Sequence, residues 1–95
     1  MPKSHKYLIV YDISNQRERT KVSKVLSGYG QRVQESVFEC RLSVGMRERL
    51  KKKLEKLEVE TGFILLYRLY DQAKRIAMGK VPEDVTTVEE HAFVV

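Results

Sequence analysis

Residues 6–13 read Lys-Tyr-Leu-Ile-Val-Tyr-Asp-Ile, an unbroken apolar and aromatic run from Tyr7 to Tyr11 closed by a charge. A strand with one wet face alternates apolar and polar side chains. A continuous run instead marks a strand covered on both faces of a sheet. Ser14-Asn15 follows as a natural helix start. Asp12 therefore stands at the rim of the sheet, where a rigid scaffold presents it. Two readings stay open for it: a turn or capping residue, since Asp favours both places, or a metal ligand or general base.

The pattern downstream predicts a helix over roughly 15–28, capped by Asn15, with Glu18 completing a box-like pair, and stopped by Gly28 and Gly30. Val22, Val25, Leu26 and Tyr29 form its apolar face; Arg17, Lys21 and Lys24 recur on another, and Arg19 lies toward the Asp12 end. Gln31 to Ser43 turns to β character, either as two short antiparallel strands joined near Glu35-Ser36 or as one long bent strand. Gly45 to Glu58 predicts a second helix buried along Met46, Leu50, Leu54 and Leu57, with a cationic outer face. Gly62 breaks the chain before a second apolar strand, Phe63 to Leu69. The tail predicts a helical turn at Gln72–Met78, a break at Gly79 and Pro82, and a short strand at Ala92–Val95.

Strand, helix, strand, strand, helix, strand is the split βαβ, or ferredoxin-like, order. The fold class is α+β: βαββαβ with an extra C-terminal strand, both helices on one face of an antiparallel sheet. Residues 1–95 form one domain, with a core over about 5–70 and a dimerisation tail over about 71–95. This architecture leaves one sheet face open, yet the strands are apolar on both sides. A second copy of the chain is the simplest cover, so a homodimer is expected, with the tail strand adding to the partner's sheet edge.

Eighteen Lys and Arg against thirteen Asp and Glu give a net charge of +5, which favours a polyanionic partner. The single cysteine, Cys40, excludes an internal disulfide and suits a reducing compartment. No apolar run reaches membrane-spanning length and no signal peptide is evident, so a cytoplasmic protein without a membrane partner is expected. His5, His91 and Cys40 share no zinc-ligand spacing, and there is neither a phosphate-binding glycine loop nor a nucleophile elbow. The lysines of the second helix read as a solvated face supported by pairs such as Glu48 with Lys52. Arg17, Arg19 and Lys21 begin within one helical turn of Asp12. Cations beside a metal-binding acid are what phosphodiester chemistry uses. The strand Ser36-Val37-Phe38-Glu39-Cys40 has one aromatic, too few for an RNA-recognition platform.

Tyr11-Asp12-Ile13, the basic first helix ending Leu26-Ser27-Gly28-Tyr29-Gly30, and the block from Arg32-Val33-Gln34 through Ser36-Val37-Phe38-Glu39-Cys40-Arg41-Leu42 resemble CRISPR-associated protein 2 over roughly residues 6–70. The resemblance implies a ferredoxin-like homodimer of CRISPR adaptation, described as a metal-dependent endonuclease on RNA or DNA and as the bridge that binds the integrase, CRISPR-associated protein 1. Carried over by position, Asp12 is the catalytic, metal-binding acid, and Arg19, Lys21, Arg32 and Phe38 match positions linked to substrate or site integrity; Tyr11, beside the acid, and Arg17, of the basic cluster, join them as expected site-supporting or nucleic-acid-binding residues. Lys21 stands where members often have Arg and cannot make its bidentate phosphate fork. Many members also carry an acid just before the last core strand, where this chain reads Thr61-Gly62-Phe63.

One carboxylate per chain is few for Mg²⁺, which takes one or two carboxylates plus waters. A two-fold axis supplies the second, so Mg²⁺ shared by Asp12 of two protomers is the expected cofactor. The first function read here is a Mg²⁺-dependent endonuclease. The second is a non-catalytic scaffold that tracks duplex DNA with its basic helices and docks the integrase. A third is a stand-alone ribonuclease toxin resembling virulence-associated protein D, against which the Ser-Val-Phe-Glu block argues.

Overall fold

Ser4–Ile13 forms β1, one of the two inner strands of a four-stranded sheet. A computed structural model describes residues 3–70 and 74–80, and the backbone of 93–94. The elements that follow are α1 (Gln16–Ser27), β2 (Gly30–Gln34), β3 (Val37–Ser43), α2 (Val44–Lys56), β4 (Gly62–Leu69), β5 (Ile76–Ala77) and β6 (Phe93–Val94). Strand order is β2-β3-β1-β4 with every neighbouring pair antiparallel. This is the expected α+β arrangement. The turn at Glu35-Ser36 decides for two strands over one bent one.

Alternation along β1 sorts its side chains to two faces. Tyr7, Ile9, Tyr11 and Ile13 join Phe38, Cys40 and Leu42 of β3 in a core closed by Val22 and Leu26 of α1 and Leu50 and Leu54 of α2. Both helices thus cover the same face. Each fully buried aliphatic side chain in this layer contributes roughly 2 kcal/mol. The other face carries Leu8, Val10 and Val37, half-buried, and Phe63, Leu65 and Tyr67, which are 51%, 42% and 52% exposed. A half-buried ion pair, Lys6 Nζ to Glu39 Oε1 at 3.7 Å, lies on that face too.

Helix boundaries depart from expectation in instructive ways. Asn15 caps α1 by accepting from the Glu18 amide at 2.9 Å, but the Glu18 carboxylate does not return to Asn15; it turns to residues 60 and 61. Helix α2 is capped by Ser43, which accepts from the Met46 amide at 3.3 Å, and it stops at Lys56, short of the predicted Glu58. In the tail, Ile76–Ala77 is a strand, not part of a helical turn, and it pairs in parallel with Phe93–Val94. The extra C-terminal strand therefore exists, but as half of a separate two-stranded sheet. Gln72, Pro82, His91, Ala92 and Val95 lie outside the described residues. No helix among the described residues is long and apolar enough to cross a membrane.

Candidate functional site

Asp12 sits between Tyr11 and Ile13, which are 3% exposed in the core, so the pleat sends its own side chain to the open face. Phe63 is its cross-strand neighbour on β4, and Val10 and Leu65 pair in the next position on that face. The Asp12 carboxylate is exposed and makes no hydrogen bond or ion pair with any described residue. An unpaired carboxylate rising from an apolar rim is an oxygen donor of the kind hard divalent cations take. Among the described residues no group of three His, Cys, Asp or Glu could hold a metal. One protomer therefore offers a hard cation a single carboxylate at this rim.

The other residues singled out from the sequence gather on the opposite face of the sheet. Tyr11 packs against Phe38 with ring centroids 6.4 Å apart, and its hydroxyl donates to the Glu35 carbonyl at 3.1 Å. The Arg32 guanidinium stacks over the Phe38 ring at 5.3 Å and donates to Ser23 Oγ. Arg19 Nη1 donates to two carbonyls at the end of β1, Ile13 at 2.9 Å and Ser14 at 2.7 Å. A polar cleft of about 200 Å³ opens among Tyr11, Gln16, Arg19, Arg32 and Glu35. Arg17 and Lys21 are exposed on α1. The structure thus brings Tyr11, Arg19 and Arg32 together around one cleft, with Phe38 buried against Tyr11 and Arg32, on the face opposite Asp12. The expectation that the cations of α1 lie beside the acid is met along the chain and not across the sheet: Arg19 fastens the strand that carries Asp12 and turns away from the face that presents it.

Three residues hold this rim through contacts that no local sequence pattern announces. The Glu18 carboxylate accepts from the Glu60 amide at 3.0 Å, the Thr61 amide at 3.1 Å and the Thr61 hydroxyl. These donors, the hydroxyl foremost, hold its pKa below the ordinary carboxylate value. Gly62 is the third. A Cβ there would lie 1.8 Å from the Asp12 carbonyl oxygen, so only glycine lets β4 start this close to the Asp12 peptide. The Asn-x-x-Glu spacing marks Glu18 as a capping residue, but nothing local marks a partner more than forty residues away.

A family model described as CRISPR associated protein Cas2 matches residues 5–76. A protein of Chloroflexus aurantiacus named CRISPR-associated endoribonuclease Cas2 1 is 45% identical over 83 residues, covering 81% of this chain and 89% of the relative. A crystal structure of a hypothetical protein from Thermus thermophilus superposes with a TM-score of 0.74 at 30% identity, over 84% of this chain and 96% of that one. A chain in a structure described as a partial Cas6-RT-Cas1–Cas2 complex superposes with a TM-score of 0.62 at 35% identity, over 70% and 80%.

Proposed function

Because the chain belongs to the CRISPR-associated protein Cas2 family, we propose that it is a metal-dependent endonuclease of CRISPR adaptation, acting as a homodimer and assembling with the Cas1 integrase. The observation that carries the catalytic part is the free, exposed Asp12 carboxylate on the open apolar face. If two copies pair through that face, the acid of each protomer approaches an isologous axis and meets its twin. Mg²⁺ held there would neutralise charge on the scissile phosphate and ease ionisation of a bound water. The chain's own residues do the rest: Arg19 ties down the end of β1, Gly62 lets β4 close on it, and the apolar face around Asp12 excludes bulk water when paired. The relative named an endoribonuclease supports the activity, and the complex containing Cas1 and Cas2 supports the partner.

The test is cleavage of labelled RNA and duplex DNA by purified protein, with and without Mg²⁺. Asp12→Asn keeps the shape and loses the charge, so metal-dependent cleavage is expected to disappear while the fold persists. A variant that cuts as fast as the parent would show that the activity lies elsewhere. Family membership displaces the stand-alone toxin reading.

A second reading, the non-catalytic scaffold, is favoured by the placement of charge. Arg17, Lys21 and Lys24 of α1 and Arg49, Lys52 and Lys56 of α2 are exposed on the helical layer, opposite Asp12. A duplex held there through its phosphates lies away from the carboxylates. If parent and Asp12→Asn both fail to cut and both support spacer integration, the scaffold is the function.

A further inference from the structure

We propose that Glu18 and Thr61 form a latch that positions Asp12 for its cation, a role that rests on reading Asp12 as the metal-binding acid. Asp12 lies one residue from the end of β1, and the last pair of the β1–β4 ladder is Ile13 with Gly62. Ladder ends open first, because few contacts oppose their fraying. A carboxylate that must meet its twin across an axis at coordination distance cannot be carried on a fraying end.

The latch closes this end from both sides. One Glu18 oxygen accepts from the Thr61 amide and hydroxyl, and the other accepts from the Glu60 amide. The Thr61 hydroxyl gives its proton to Glu18 and, with a lone pair, accepts from the Asn15 amide at 3.0 Å. The Thr61 carbonyl accepts from the Ser14 amide at 3.1 Å and the Ser14 hydroxyl at 3.2 Å. Segment 60–62 is thereby sewn to the turn that follows Asp12. Gly62, next in line, is pressed against the Asp12 peptide itself. Every group facing Glu18 is a donor, so the site requires an ionised carboxylate. A carboxamide would set its own N–H₂ against one of those donors.

A helix-start device that merely adds stability would use the same bonds, so the experiment must read the metal site directly. Mn²⁺ binding to the full-length protein is followed by electron paramagnetic resonance at a temperature where every variant is folded, beside the denaturation midpoint of each. Glu18→Gln and Thr61→Val are expected to weaken Mn²⁺ binding about tenfold, the usual effect of losing a group that orients a metal ligand. Thr61→Ser, which keeps the hydroxyl, is expected to restore it. Amide exchange at Asp12 and Ile13 is expected to quicken in the first two variants and not in the third. If Glu18→Gln and Thr61→Val lower the midpoint yet bind Mn²⁺ as the parent does, the latch is a stability device and the proposal fails. Asp12→Asn separates this from failure of the underlying reading: full Mn²⁺ binding by that variant shows that Asp12 is not the ligand, whatever the latch does.

Discussion

Cys40 is 1% exposed beneath the helices, and burial, with a smaller contribution from Glu39, pushes its thiol up from 9.0 to about 11. The folded state therefore keeps the neutral thiol at pH values where the unfolded chain ionises. Its contribution to stability is complete below pH 9.0 and is lost as pH rises through about 11. The denaturation midpoint of the parent is expected to fall across that window, more steeply than in Cys40→Ala, which starts lower because it leaves a cavity. Iodoacetamide at pH 8 is expected to label the native protein far more slowly than the denatured one; equal rates would contradict the burial. Glu18 runs the other way: its folded pKa lies below 4.5, so what it adds is present above that value and is lost as pH falls through the lowered one. At this scale legibility follows locality. Asp12 was readable because a charge interrupts an apolar run, and its face follows from strict alternation once Tyr11 and Ile13 are seen as core. The destinations of Arg19 and Glu18 were not, since a long side chain beside a strand end reaches either face and only the packed loop decides.

The ends of elements, rather than their middles, are where sequence and structure part. Leu50 and Leu54 lie buried on α2 as their spacing predicts, but the helix ends against Glu58, whose φ of +49° is left-handed. Glycine usually takes that place after a helix, and here none is present to announce the stop. A side chain in that region costs roughly 1 kcal/mol. Glu58→Gly is thus expected to raise stability by about 1 kcal/mol or slightly less, since glycine also loosens the unfolded chain. Urea unfolding measures it, and a loss of stability would mean that the Glu58 side chain contributes more than its backbone strain costs. Segment 76–77 shows the other limit of local reading. Its neighbours have helical spacing, yet Ile76 and Ala77 pair with Phe93 and Val94, a bond between distant segments that no local pattern announces.

Among the described residues the helical layer is closed and the opposite sheet face is not. Phe63, Leu65 and Tyr67 stay exposed on β4 beside half-buried Leu8 and Val10, an apolar patch of the kind that marks an interaction surface. In the proposed dimer this patch is the interface. Sedimentation is expected to give a dimer at micromolar concentration, and Leu65→Glu a folded monomer that binds no metal; a monomeric parent would remove the shared site. The open face was foreseeable from a strand apolar on both sides, whereas the segregation of the helical cations from the acid needed the topology, because it depends on which face both helices choose. That segregation has a kinetic meaning. If the helical cations bind phosphate and Asp12 holds the metal, as proposed, a long duplex and a short cleavable strand are independent ligands. Saturating duplex DNA is then expected to leave the KM for a short RNA unchanged, so that inhibition, if any, is non-competitive. A KM that climbs with added duplex would place both molecules in one groove.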